Sequence, residues 1–219
     1  MASGRSGCRF ALIGRRIMKL YFAPGACSIG IHYLLQEIGC RFELRKVDIR
    51  NGENFQAWYT AVNPKRKVPA LERADGSVLT EFPVIARYLA EQTPSAGLMP
   101  AGPETLLSAS ELTEFIVSTI HMQGFSRAFR PGKFAMAEAD HEATQARGRA
   151  IIQEGFLVVD RHLRQNTGPS FADGALFYTL FWACERLKLD VPPACAARWS
   201  EFKSRPSARR VFAAEGIDF

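Results

Sequence analysis

The stretch Lys19-Leu20-Tyr21-Phe22-Ala23-Pro24-Gly25-Ala26-Cys27-Ser28 carries a short apolar strand through a Pro-Gly turn and ends on a thiol and a hydroxyl. A helical pattern starts at that point. The start of a helix presents unpaired backbone N–H groups and partial positive charge, and both favour a thiolate over a thiol. Ser28 is a suitable N-cap. Ile29, Tyr33, Leu34, Leu35 and Ile38 form the apolar side, His32, Gln36 and Glu37 are interspersed, and Gly39 ends the helix as a glycine beyond the C-cap should. Cys27 reads equally as a reactive thiol or as a plain core cysteine, since cysteine is among the residue types most often buried. Tyr21 reads as strand core.

Working outward, Phe42-Glu43-Leu44-Arg45-Lys46-Val47 alternates as a half-buried strand does, so the chain opens β-α-β with a parallel pair. A short helical piece is expected near residues 55–61. It leads into Asn63-Pro64-Lys65-Arg66-Lys67-Val68-Pro69-Ala70-Leu71. An antiparallel pair over 70–73 and 78–80 turns on Asp75-Gly76, and a helix follows over 83–92. Residues 93–103 are rich in Pro, Gly, Ser and Ala and read as a linker. Beyond it the strand pattern gives way to helices over about 104–129, 138–165, 171–189, 194–203 and 208–214. The second of these carries Glu142, Arg147, Arg149 and Arg161 among apolar positions, as a solvated outer face does.

With 219 residues and 47% apolar content the chain is long enough for one large domain or two small ones. No run is long enough to span a bilayer, so no membrane role is expected. The formal charge is +6, but Arg5, Arg9, Arg15 and Arg16 lie within residues 1–17, and without them +2 remains. The basic signal therefore belongs to the start of the chain and argues against nucleic acid as a partner. Residues 1–17 read as a disordered extension ahead of Met18. Five cysteines (8, 27, 40, 184 and 195) include no CxxC pair and no paired metal spacing, which points to no metal, a reducing compartment and a cytoplasmic location.

Tyr-x-x-Pro-Gly-x-Cys-Ser at 21–28, Asn-Pro-Lys-x-x-Val-Pro-x-Leu at 63–71 and Leu-Thr-Glu at 79–81, in that order and ahead of a helical half, resemble the cytosolic glutathione transferases. The bacterial beta class is the nearest likeness. The resemblance runs from Met18 to the C-terminus. It implies an α/β plus all-α chain, with a thioredoxin-like glutathione-binding domain (βαβ-ββα) over 18–94 and an all-helical domain over 104–219. It further implies a homodimer, with glutathione as cosubstrate and a small hydrophobic electrophile as its partner.

On the matched positions the resemblance implies that Cys27, with Ser28 as auxiliary donor and His32 behind them, serves the glutathione thiol. Val68-Pro69 matches the family's cis-proline turn, where the backbone of Val68 pairs with the cysteinyl part, and Lys67 lies beside it. Glu81 matches the acid that holds the γ-glutamyl end, and Phe82 after it and Lys67 are counted with it among the positions expected to contact glutathione. His121 matches a histidine near the ligand, and Trp182 an aromatic by the electrophile pocket. Ser170-Phe171-Ala172-Asp173 matches a helix capping box.

Three positions depart from the pattern. Phe82 stands where a small hydroxyl residue is usual, placing a bulky ring near the pocket; Arg66 replaces a common glycine; and Met122 replaces a lysine. Three functions stay open at this point. One is a transferase conjugating glutathione to a hydrophobic electrophile. Another is a glutaredoxin-like monothiol reductase using Cys27. The third is a non-catalytic scaffold with weakened glutathione binding.

Overall fold

The computed structural model describes residues 17–218. Apart from Ile17, the extension expected at residues 1–17 lies outside the described residues. The first half runs β1 (Met18–Phe22), α1 (Ser28–Ile38), β2 (Phe42–Lys46), α2 (Ala57–Val62), β3 (Ala70–Glu72), β4 (Val78–Thr80) and α3 (Phe82–Gln92). Its sheet has the order β2-β1-β3-β4, with β1 parallel to β2 and the other neighbours antiparallel. This is the thioredoxin-like arrangement. The β3–β4 hairpin turns where the sequence places it: Gly76 has φ of 86°, and Asp75 Oδ1 accepts from the Ser77 N–H at 2.9 Å.

β2 departs from its reading. It is an edge strand bonded to β1 alone, and Glu43 to Lys46 are exposed, so its alternation does not report a buried face. The centre of the sheet is β1, where Leu20, Tyr21 and Phe22 are buried.

The second half is helical, with α4 (Pro103–Phe115), α5 (Ser126–Phe129), α6 (His141–Gln165), α7 (Asp173–Phe181), α8 (Pro193–Ser204) and α9 (Pro206–Glu215). Two stretches read as continuous α-helix widen to π-helical turns instead, Ile116–Phe125 after α4 and Trp182–Arg186 after α7. Such turns are uncommon and concentrate at functional sites. Here they carry His121 and Trp182. Among the described residues no helix is long and apolar enough to cross a membrane.

The two halves meet on α1, whose residues from Ser28 to Leu35 are all buried. An amphipathic helix lying on a sheet alone would expose one side. Here that side faces α7: Tyr33 stacks on Phe177 with ring centroids 4.2 Å apart, and Gly30 lies against the backbone of Gly174. Half of the capping box forms ahead of α7, the Asp173 N–H turning to the Ser170 carbonyl. The Asp173 carboxylate accepts from the Ser170 N–H at 3.1 Å, and the Ser170 hydroxyl accepts from the Ala172 N–H at 3.2 Å.

Arg66 has φ of 58°, which is why a glycine suits that position. Its guanidinium lies over the Phe55 ring at 5.5 Å. A non-glycine residue in the left-handed region costs about 1–2 kcal/mol, of which glycine returns part by loosening the unfolded chain. Arg66→Gly is therefore expected to raise stability by about 0.5–1 kcal/mol, measured by chemical denaturation, provided the ring contact is as weak as exposed cation–π pairs are.

Candidate active site

The Pro24-Gly25 turn is held from the helical half on both of its polar groups. The Gly25 N–H donates to Glu215 Oε2 at 2.8 Å, and the Gly25 carbonyl accepts from the Trp182 indole N–H at 2.8 Å. Ser28 is buried, and its hydroxyl donates to the Ala23 carbonyl at 3.3 Å and accepts from the Ala23 N–H at 3.2 Å. It is the first residue of α1, not its cap. The expectation of a capping Ser28 is thus corrected: the hydroxyl fastens the end of β1 to the start of α1. His32 is also turned away from the thiol, its Nδ1 lying 2.9 Å from Glu215 Oε1.

Cys27 closes the turn with its side chain part-exposed, and its Sγ–H donates to the Val68 carbonyl at 3.4 Å. The Val68-Pro69 bond is cis. The loop bearing it is anchored by carbonyls: Lys67 O accepts from Tyr59 Oη at 2.5 Å and from Asn63 Nδ2 at 2.7 Å, and Arg66 O accepts from Asn54 Nδ2 at 3.1 Å. The exposed Lys67 side chain is left with no carboxylate partner among the described residues.

Burial pushes the Cys27 thiol up to about 12, against the N–H groups of Cys27 and Ser28 and the charges of Arg130 and Lys67, which pull it down. Desolvation outweighs the helix end. The thiolate expected from the sequence is therefore corrected to a neutral thiol at neutral pH, a group that donates a hydrogen bond.

Glu81 precedes α3 with φ of 70°, and its exposed carboxylate accepts from Lys65 Nζ at 2.6 Å. A left-handed acidic residue at a helix start is the kind of strained position that clusters at ligand sites. The Phe82 ring does not fill the cleft as its bulk suggested. It is buried, 5.1 Å edge-to-face from Tyr178, and it lies under α1 beside Gly30. The first N–H groups of α3 keep the open valences that every helix start has.

Across the cleft, His121 Nδ1 lies 3.2 Å from Tyr178 Oη, and the His121 and Trp182 rings meet edge-to-face at 4.9 Å. Burial first, then the charges of Arg130, Lys67 and Lys133, pull His121 down to about 4, so the imidazole is neutral at physiological pH. Burial likewise pushes the Tyr178 phenol well above its ordinary value. Trp182 joins Phe125 and Phe129 at 5.2 and 5.7 Å, making an aromatic wall, and Met122 is exposed.

Of the sites named from the sequence, Cys27 meets Val68, Trp182 meets the Gly25 turn and His121 meets Trp182, while Ser28 bonds Ala23, His32 lies against Glu215 and the Phe82 ring packs on Tyr178. Sequence reasoning missed Glu215 and Tyr178. Nothing in the sequence flags Glu215, which stands 190 positions from Gly25. Tyr178 carries a faint signal, lying four residues before Trp182 and so on the same helix face.

A family model for the glutathione S-transferase N-terminal domain matches residues 25–92. The chain is 33% identical over 207 residues to glutathione S-transferase GstA of Escherichia coli O157:H7, covering 91% of this chain and 100% of the relative. It belongs to the cytosolic glutathione S-transferase family. The match to the N-terminal domain opens on the Gly25 turn and closes at the end of α3, so it spans the Cys27, Val68 and Glu81 positions of this transferase.

Among solved structures, the bacterial beta-class glutathione S-transferase of Sphingomonas chungbukensis superposes with a TM-score of 0.76 at 30% identity, over 91% of this chain and 100% of the other. A sphingomonad glutathione S-transferase complexed with glutathione gives 0.77 at 31% identity, with the same coverage. Phe82, Arg66 and Met122 are the positions where this transferase departs from the pattern the resemblance implies.

Proposed function

We propose that this transferase joins the sulfur of glutathione to a hydrophobic electrophile, with Cys27 donating a hydrogen bond to the glutathione thiolate. The observation that carries the reading is the Cys27 thiol, neutral and 3.4 Å from the Val68 carbonyl at the start of α1. The cysteinyl part of the tripeptide pairs with the backbone of Val68 as an added strand would. The γ-glutamyl end lies at the start of α3, its amino group toward Glu81 and its carboxylate toward the first N–H groups of the helix. Lys67 takes the glycyl carboxylate.

On binding, the glutathione thiol gives its proton to solvent. Its sulfur pair then forms the C–S bond, and in a substitution the leaving group departs with its bonding pair. Cys27 keeps its own proton throughout. Neutral His121 and the Trp182–Phe129 wall border the electrophile. The protein is a cytoplasmic homodimer, as the family pattern implies.

The monothiol-reductase reading needs Cys27 to attack as a thiolate, and a thiol pushed up to about 12 opposes it. The scaffold reading drew support from Phe82, Arg66 and Met122; the buried ring of the first and the tolerated left-handed backbone of the second weaken it, while the exposed Met122 still lacks the charge of the lysine it replaces. Retention on immobilised glutathione together with turnover of a chloronitroaromatic tests the proposal. Retention without turnover of any electrophile would favour the scaffold, and reduction of mixed disulfides that depends on Cys27 would favour the reductase.

A further inference from the structure

Two loops bring three cations to the same cleft. Lys67 stands on the loop before Val68, while Arg130 precedes and Lys133 ends the short turn Pro131–Lys133 after α5. The placement of the turn follows through contacts: Phe129, next to Arg130, lies 5.7 Å from Trp182, whose indole N–H bonds the Gly25 carbonyl two residues from Cys27. The turn is held in place by its surroundings. The Arg127 guanidinium lies 4.1 Å from the Phe134 ring centroid, Gln145 Nε2 donates to Ala128 O at 3.1 Å, and His141 Nε2 donates to Ala135 O at 3.2 Å.

Among the described residues none of the three cations has a carboxylate partner or a side-chain hydrogen bond. Every charged group acting on His121 is one of these cations, and Lys133 is pulled down by burial and then by Arg130 and Lys67. A cluster of like charges held without counter-charge beside a cleft is a site prepared for anions.

The proposed function accounts for only part of this charge. A glutathione thiolate brings one negative charge to this side of the cleft and the glycyl carboxylate brings another. Lys67 is taken by the glycyl carboxylate, so Arg130 and Lys133 together face the single charge of the thiolate and one positive charge between them is left over. It stands beside exposed apolar surface: Phe129 is 41% exposed, Phe134 42% and Met136 fully so. Apolar surface next to unpaired cations suits a molecule that is flat and apolar at one end and anionic at the other.

We infer that the electrophile of this transferase is an aromatic or conjugated carboxylate, its ring against Phe129 and its carboxylate between Arg130 and Lys133. This rests on the glutathione-conjugation reading and narrows it to a substrate class. The reacting carbon faces the glutathione sulfur beside Cys27, and the carboxylate takes no part in bond making.

The test compares 4-chloro-3-nitrobenzoate with its methyl ester, two electrophiles that differ in charge at one end. In each, the glutathione sulfur bonds to the ring carbon and chloride leaves with the bonding pair. The native enzyme is expected to favour the acid by tenfold or more in kcat/KM at low salt. That preference should shrink as ionic strength rises and fall to near one in Arg130→Gln/Lys133→Gln.

Equilibrium binding of unreactive 3-nitrobenzoate to the glutathione-loaded protein gives a readout independent of turnover, with the same dependence on the two cations expected. Equal use of acid and ester by the native enzyme would overturn the inference, as would a preference that survives the double substitution or an absence of nitrobenzoate binding. Failure of glutathione itself to bind, measured separately by calorimetry, marks instead the failure of the conjugation reading.

Discussion

Gly30→Ala is expected to destabilise the protein by about 3 kcal/mol or more, which for a chain of this size lowers Tm by about 6–12 °C. A Cβ at position 30 would stand 2.2 Å from the Gly174 carbonyl oxygen, 3.0 Å from its carbon and 3.0 Å from Phe82 Cε2. Backbone cannot yield as a side-chain tip does. α1 and α7 would have to separate, and the stack of Tyr33 on Phe177 at 4.2 Å would open with them. Gly174→Ala is the informative comparison. Its Cβ first meets the Leu34 side chain at 2.7 and 2.9 Å, with the Gly30 carbonyl at 3.0 Å, so it is expected to cost less than Gly30→Ala. Thermal denaturation of the two variants ranks them, and equal stability of Gly30→Ala and the native protein would show that the halves do not meet this closely.

Asp173→Ala is expected to cost about 3 kcal/mol. Oδ1 of Asp173 accepts from Arg198 Nη1 at 3.0 Å and Oδ2 accepts from the Ser170 N–H at 3.1 Å, with both ionic side chains buried. Truncation strands a buried guanidinium, which typically costs about 3–5 kcal/mol, and it removes a helix cap worth about 1 kcal/mol. Arg198 keeps Thr167 O at 3.0 Å and Glu201 at 3.5 Å, which moderates the loss toward the lower end. The double variant Asp173→Ala/Arg198→Met should recover part of it, because no charge is then left alone.

Burial also raises the Asp173 carboxyl to about 6, against the pull of Arg198 and the Ser170 N–H. A raised carboxyl takes up its proton in the native state before the unfolded chain does. Its contribution to stability is thus fully present below the unfolded value near 4 and declines as pH rises through 6. Asp173→Asn should lack that decline. Unfolding free energies from pH 4 to 7 check it, and an identical pH slope in both proteins would rule it out.

The sequence displays local devices well. The strand and Pro-Gly turn before Cys27, the left-handed Gly39, the Asp75-Gly76 hairpin and the Ser170–Asp173 box all stand where residue types alone place them, because each depends on neighbours within a few positions. The features that were not legible depend on how whole elements meet in the fold. Ser28 has the right type for a cap, but its hydroxyl is drawn to Ala23 by the way β1 meets α1. Phe82 is bulky beside a pocket in sequence, yet α7 offers Tyr178 as a partner for its ring underneath. The ionisation of Cys27 inverted for the same reason: a helix start is visible in sequence, whereas the walls that desolvate the sulfur are not.

The most direct test of Cys27 as a neutral donor follows the ionisation of bound glutathione through the ultraviolet absorbance of its thiolate against pH. The native protein should hold that thiol below its value in free glutathione. Loss of a hydrogen bond to a charged sulfur, about 1.5 kcal/mol for a weak S–H donor, should raise it by about one pKa unit in Cys27→Ala. Titrations that coincide in the two proteins would contradict the role assigned to Cys27.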